Sequence, residues 1–92
     1  MIVSFKHKGL KRLYRNGDKA GIRPDLLSRV EGILFAIDNA REITELKAPG
    51  FRLHPLTGDL KGYWSVWVRA NWRIIFRFEA GEAYEVELID YH

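Results

Sequence analysis

The chain has 92 residues, 47% hydrophobic and 13% aromatic, which is too apolar for a disordered segment and long enough for one small domain, expected to span residues 1–92. With no cysteine, it has neither disulfides nor thiolate metal ligands available to hold it together. The net charge of +3 is modest, but it is unevenly placed: residues 51–78 carry Arg52, Lys61, Arg69, Arg73 and Arg77 against a single acid, Asp59, a local excess suited to a polyanion or to a solvated basic face.

The opening Met1-Ile2-Val3-Ser4-Phe5, rich in β-branched and aromatic residues, predicts a short strand. Leu10, Leu13 and Tyr14 then recur at helical spacing among Lys6, Lys8, Lys11, Arg12 and Arg15, and Asn16-Gly17 supplies a C-terminal cap. His7 is expected to be solvated on this basic helix. Pro24 suits the first turn of a second helix, where Asp25 complements the dipole. Its apolar stripe is Leu26, Leu27, Val30, Ile33, Leu34 and Ile37. Residues 42–46 predict one more helical turn before Pro49-Gly50 breaks the chain.

Beyond Phe51 the apolar period changes to two. Phe51–Leu56 is expected to form one strand. Three more follow, with Trp64, Val66 and Val68, then Trp72, Ile74, Phe76 and Phe78, then Tyr84, Val86 and Leu88 on the core side. Links near Ala70-Asn71 and Gly81 fit hairpin turns. The order β-α-α-β-β-β-β predicts an α+β fold: two N-terminal helices packed on a mostly antiparallel sheet whose other face looks outward. On that outward face strict alternation puts Arg69, Arg73 and Arg77, with Arg69 and Arg73 nearly side by side across the turn.

Two such guanidiniums repel unless an anion lies between them. Glu85 or Glu87 is one candidate; a phosphate gripped by planar forks is the other. His54, Asp90, Tyr91 and His92 add imidazole, carboxyl and phenol groups suited to proton transfer. Each also has a plainer reading, as a loop histidine, a rim aromatic or a chain end. Scattered His7, His54 and His92 make a weak metal pattern. The N-terminus lacks a signal-peptide apolar segment, and no run approaches the roughly 20 apolar residues that cross a bilayer. A cytoplasmic protein without membrane contact is expected.

Four blocks carry a resemblance: the opening Met-Ile-x-Ser-Phe-Lys-His-Lys-Gly-Leu, the central Arg-Leu-His-Pro-Leu-x-Gly-Asp, Gly-Tyr-Trp-Ser-x-x-Val-Arg-Ala-Asn-Trp-Arg-Ile, and the closing Asp-Tyr-His. In this order and spacing the chain resembles HigB toxins of the RelE superfamily over essentially its whole length. The resemblance implies a RelE-like, microbial-ribonuclease-like fold and the toxin of a type II toxin–antitoxin system. It also implies ribosome-dependent cleavage of mRNA in the ribosomal A site, without metal or organic cofactor. The implied partners are a HigA-type helix-turn-helix antitoxin, mRNA, and the 70S ribosome with its 16S rRNA, operator DNA being reached only through the antitoxin complex.

By the same resemblance the active-site residues fall on His54, Arg69, Arg73, Asp90, Tyr91 and His92. Arg73 would be the main charge stabiliser with Arg69 assisting. His92 would be acid or base with Asp90 orienting it, Tyr91 a stacking surface or proton donor, and His54 a further acid–base group. Lys6, Lys8, Lys11, Arg12, Arg52, Lys61, Trp67 and Arg77 are candidate RNA- or ribosome-binding residues. Close relatives carry lysine where this chain has Thr57, so Lys61 or Arg52 would have to supply that charge. Two rival readings remain on sequence grounds: a ParE-like toxin that inhibits DNA gyrase without cutting RNA, and a non-catalytic RNA- or antitoxin-binding module.

Overall fold

The computed structural model describes residues 1–91. Helix α1 spans Lys8–Asn16 and α2 spans Pro24–Asn39. Gly17, at φ 70°, closes α1 in the left-handed conformation that glycine tolerates, its N–H bonding back to the Arg12 and Leu13 carbonyls. Pro24 opens α2 as the sequence predicts. The turn expected over residues 42–46 is a 3₁₀ turn, Ile43–Leu46, closed by a reciprocal capping box between Glu42 and Glu45.

Four strands form one antiparallel sheet in the order β1 (His54–Pro55), β2 (Trp64–Arg69), β3 (Trp72–Glu79) and β4 (Glu82–Asp90). The main core lies between the helices and one sheet face: Leu26, Val30, Ile33, Leu34 and Ile37 of α2 meet Val66, Val68, Ile74, Phe76, Ala83, Val86 and Leu88. Phe76 is fully buried, and removing a side chain of that size from water contributes about 1.5–3 kcal/mol.

Four expectations are corrected. The N-terminal segment makes only isolated parallel bridges to the β4 edge, Ile2 to Ala83 and Phe5 to Val86. Between them β4 bulges at Glu85, which takes φ 53° and donates its N–H to Ser4 Oγ at 2.9 Å, so no continuous ladder forms. The same bulge reverses the alternation, so Ala83 rather than Tyr84 enters the core. The strand expected over Phe51–Leu56 shrinks to His54–Pro55, because Pro49–Phe51 is a 3₁₀ turn and Arg52 is left-handed at φ 48°, ψ 46°.

The fourth correction concerns the sheet face away from the helices, which is not wholly outward. Leu56, Tyr63 and Ile75 are buried there as a second small cluster, with Leu60 and Ile89 against them. The turn Gly58–Leu60 folds that segment back, so apolar residues at nominally outer positions find partners.

At the start of α1, Gly9 packs directly on the Gly21 backbone. A Cβ on Gly9 would lie 2.6 Å from the Gly21 carbonyl oxygen, closer than van der Waals contact allows.

Candidate active site

Cross-strand register places the candidate residues in rows. Trp67, Arg73 and Ile89 align across β2, β3 and β4; His54, Ser65, Ile75 and Glu87 align in the adjacent row of the same face. Ile75 and Ile89 belong to the second cluster, so these rows lie on the face opposite the helices. That face is where the imidazole of His54 and the guanidinium of Arg73 are exposed or half-exposed.

Arg73 is held but not consumed. Its Nη1 donates to the Ala70 carbonyl at 3.1 Å and to the Trp72 carbonyl at 3.2 Å. A guanidinium has five N–H donors, so Nε and the other terminal nitrogen keep three that make no hydrogen bond among the described residues. A half-buried arginine with a fixed fork and spare donors suits an oxyanion.

Tyr91 continues β4 past Asp90 onto the Arg73 side by alternation, and its ring is exposed. Its backbone N–H donates to the Asn71 carbonyl at 2.7 Å. The end of β4 is thereby fastened to the β2–β3 turn that also anchors Arg73. His92 lies outside the described residues.

Arg69 departs from expectation. The register shifts between Trp67 and Arg69, so Arg69 pairs with Trp72 instead of lying beside Arg73. This bulge turns Arg69 to the helix side, where Nη1 sits 3.7 Å from Asp25 Oδ2 on α2. Trp72 pairs in turn with Asp90, making a second row, Arg69–Trp72–Asp90. The Arg69–Asp25 pair is exposed and shared with Arg23, and such pairs contribute little. Any route from Arg69 to the Arg73 face therefore runs around the sheet end.

The remaining cations fall into separate groups. Lys6 and Arg77 flank Tyr63, with Lys6 Nζ 5.4 Å and the Arg77 guanidinium carbon 4.5 Å from its ring centroid. Glu85 joins them, accepting from Arg77 Nε at 2.7 Å and lying 3.5 Å from Lys6 Nζ. Hydrogen bonding to Tyr63, then the Glu85 charge, holds Lys6 above its ordinary value; the same Tyr63 contact, then Glu85, raises Arg77. Desolvation opposes ionisation of Glu85, but Arg77 and Lys6 outweigh it and hold its carboxyl below the usual range. Glu85 therefore neutralises Arg77 rather than the Arg69–Arg73 pair.

Lys8, Lys11, Arg12 and Arg15 line a shallow recess of about 470 Å³ on α1, where Arg12 lies 3.8 Å from Asp18. Lys61 is exposed after the Gly58–Leu60 turn. Arg52 stacks on Trp67, guanidinium carbon 4.1 Å from the ring centroid. Among the described residues no group of three or more His, Asp or Glu side chains gathers as a metal would require, and no helix is long and apolar enough to cross a membrane.

His7 is not simply solvated: it caps α1, its Nδ1 accepting the Leu10 N–H at 3.1 Å, and is half-buried. Sequence reasoning also missed Arg29 of α2. Its Nη2 bonds the Gly50 and Trp67 carbonyls, the latter at 3.1 Å, and its guanidinium lies 5.3 Å from the Phe51 ring centroid. A cation one position before Val30 in the apolar stripe was the available signal.

Two helices packed on one side of a short antiparallel sheet are a fold shared with solved toxin structures. The fold matches a mutant of YafQ from E. coli with a TM-score of 0.63, at 18% identity, over 96% of this chain and 89% of that one. It matches a chain of the heterotetrameric YoeB–YefM toxin–antitoxin complex from Staphylococcus aureus with a TM-score of 0.62, at 17% identity, over 100% and 95%. The sequence narrows the class. Residues 3–92 match the RelE-like toxins of type II toxin–antitoxin systems, HigB, and the chain belongs to this HigB-like family. It is 52% identical to Endoribonuclease HigB of Proteus vulgaris over 92 residues, all of both chains. It is 33% identical to Toxin HigB-1 of Vibrio cholerae serotype O1 over 88 residues, 90% of each.

Proposed function

We propose that this toxin is an endoribonuclease that cuts mRNA on the translating ribosome, in the cytoplasm, and that a HigA-type helix-turn-helix antitoxin restrains it. The observation that carries the reading is Arg73: an arginine fixed by two carbonyls, with three donors that make no hydrogen bond among the described residues, on the face that also bears His54 and the Tyr91 end of β4. The 52% identity to a protein named an endoribonuclease supports the same chemistry.

In the proposed reaction a base takes the ribose 2′-OH proton, the 2′-oxygen bonds to phosphorus, and the P–O5′ bond breaks. The 5′-oxygen leaves with a proton, giving a 2′,3′-cyclic phosphate and a 5′-hydroxyl. Charge builds on the non-bridging oxygens, and the spare Arg73 donors meet it there. His54, Tyr91 and His92 are the candidates for the two proton transfers, with Asp90 as orienter. Arg69 steers the flanking strand from the sheet end. The basic recess of α1, with Lys8, Lys11 and Arg12, holds rRNA phosphates through sequence-independent contacts.

Primer extension on a translated message after brief induction tests this. Codon-positioned cuts that vanish in Arg73→Ala and His92→Ala are expected. Growth arrest with intact message and lost supercoiling activity would overturn it in favour of gyrase inhibition.

A further inference from the structure

The indole of Trp67 is already covered. Arg52 rests on it at 4.1 Å, a distance at which the ring quadrupole attracts the cation. The indole N–H donates to the Ala70 carbonyl at 2.9 Å, and the same oxygen accepts Arg73 Nη1 at 3.1 Å. Trp67 and Arg73 are also cross-strand partners. One carbonyl therefore fixes both Arg73 and the ring that carries Arg52.

The chain spends conformational energy to put Arg52 there. A non-glycine residue at φ 48°, ψ 46° is strained and persists where surrounding structure imposes it. Here Arg29 imposes it, tying the Gly50 and Trp67 carbonyls together from α2 while lying over Phe51. No ion pair among the described residues involves Arg52 or Arg73, although five pairs form elsewhere. Arg29 also lies over the Trp67 ring, at 5.8 Å, but its guanidinium is turned to the Gly50 and Trp67 carbonyls. Arg52 on the indole and Arg73 on the neighbouring strand are like charges that repel, and an anion bridging them relieves that repulsion. Lys61, by contrast, is exposed and makes no ion pair or ring contact among the described residues.

We propose that Arg52, seated on Trp67, is a second phosphate-binding cation of this face, taking the RNA phosphodiester next to the one held by Arg73. Trp67 is then a positioning residue for Arg52 rather than an RNA contact of its own. This assignment rests on the RNA-directed reading above and says which residue supplies its second charge.

The test is a titration of a labelled single-stranded oligoribonucleotide, 2′-O-methylated to block cleavage, across a range of salt concentrations. Neutralising one phosphate on a single strand contributes a slope of about 0.7 in log K against log salt. Arg52→Ala is expected to weaken binding and flatten the slope by about that amount. Trp67→Leu should do the same, whereas Trp67→Phe, which keeps a ring face, should retain most of it. Arg52→Ala and Trp67→Leu combined should lose no more than either alone, since they act as one unit.

An unchanged slope in Arg52→Ala, additive losses in the double variant, or a larger slope loss in Lys61→Ala would each overturn the assignment. The parent nuclease reading fails separately, when the wild-type protein leaves translated message uncut. Cutting that persists with an unchanged Arg52→Ala slope removes only the Arg52 assignment, and a wild-type protein that binds no oligoribonucleotide at low salt removes it too.

Discussion

The Tyr91 N–H donates to the Asn71 carbonyl at 2.7 Å, so the last described residue of the chain is fastened to the turn between β2 and β3. Residues near a chain end usually fray; Tyr91 is instead held beside Arg73, whose Nη1 bonds the neighbouring carbonyl of Ala70. The N-terminus sits at the opposite end of β4, with the Met1 ammonium 3.2 Å from the Gly81 carbonyl. A C-terminal extension is therefore expected to depress message cleavage far more than an N-terminal tag of equal length. Equal cleavage by the two tagged proteins, compared by primer extension at matched expression, would count against a role for this end of β4.

Arg73→Ala should lower single-turnover cleavage on programmed ribosomes by about 10²–10³-fold, the usual loss when one preorganised oxyanion donor is removed. Melting should shift little, because the side chain is half-exposed and, among the described residues, bonds only the Ala70 and Trp72 carbonyls at the β2–β3 turn. Arg69→Ala should cost much less, since Arg69 projects to the helix side beside Asp25. Equal losses from the two variants would sink the distinction between them.

That distinction marks where the sequence stops being informative. Both helices were legible because an apolar stripe at 3.6-residue spacing and terminal signals at Gly17 and Pro24 agree. Strand faces were legible within each regular run, where Val66, Val68, Ile74, Phe76, Val86 and Leu88 enter the core as expected, but not across a bulge. An extra residue leaves no mark on composition, yet it moves every later side chain to the other face. The irregularity after Trp67 turned Arg69 away from Arg73, and the bulge at Glu85 exchanged Tyr84 for Ala83. Neither bulge uses a glycine, so nothing flagged the positive φ of Glu85. The candidate residues could be picked out from their chemistry; which of them share a face could not.

Gly9→Ala should destabilise the protein. On propensity alone alanine inside a helix gains up to about 1 kcal/mol over glycine. Here the added methyl would lie 2.6 Å from the Gly21 carbonyl oxygen and 2.9 Å from the His7 ring, and a backbone atom is the nearer obstacle. Overpacking of this kind costs about 1–3 kcal/mol, which outweighs the propensity gain. A lower urea midpoint with an unchanged slope is expected. A midpoint at or above wild type would mean that the loop carrying Gly21 moves aside freely.

His7 should make stability depend on pH. Its Nδ1 accepts the Leu10 N–H, a role open only to the unprotonated ring nitrogen. Burial lowers its affinity for a proton below the ordinary 6.5, the Arg12 charge lowers it further, and Glu87 opposes both without prevailing. In the unfolded chain the imidazole regains its ordinary value, so as pH falls the unfolded state binds the proton first. The cap's contribution is thus complete above about pH 6.5 and declines as pH drops through the lowered folded value. His7→Asn keeps a side-chain acceptor at the N-cap but cannot titrate. Urea midpoints at pH 8 should therefore be similar for the two proteins, while between pH 7 and pH 5 the wild type should lose more. Parallel pH profiles would show that the capping histidine takes its proton equally well in both states.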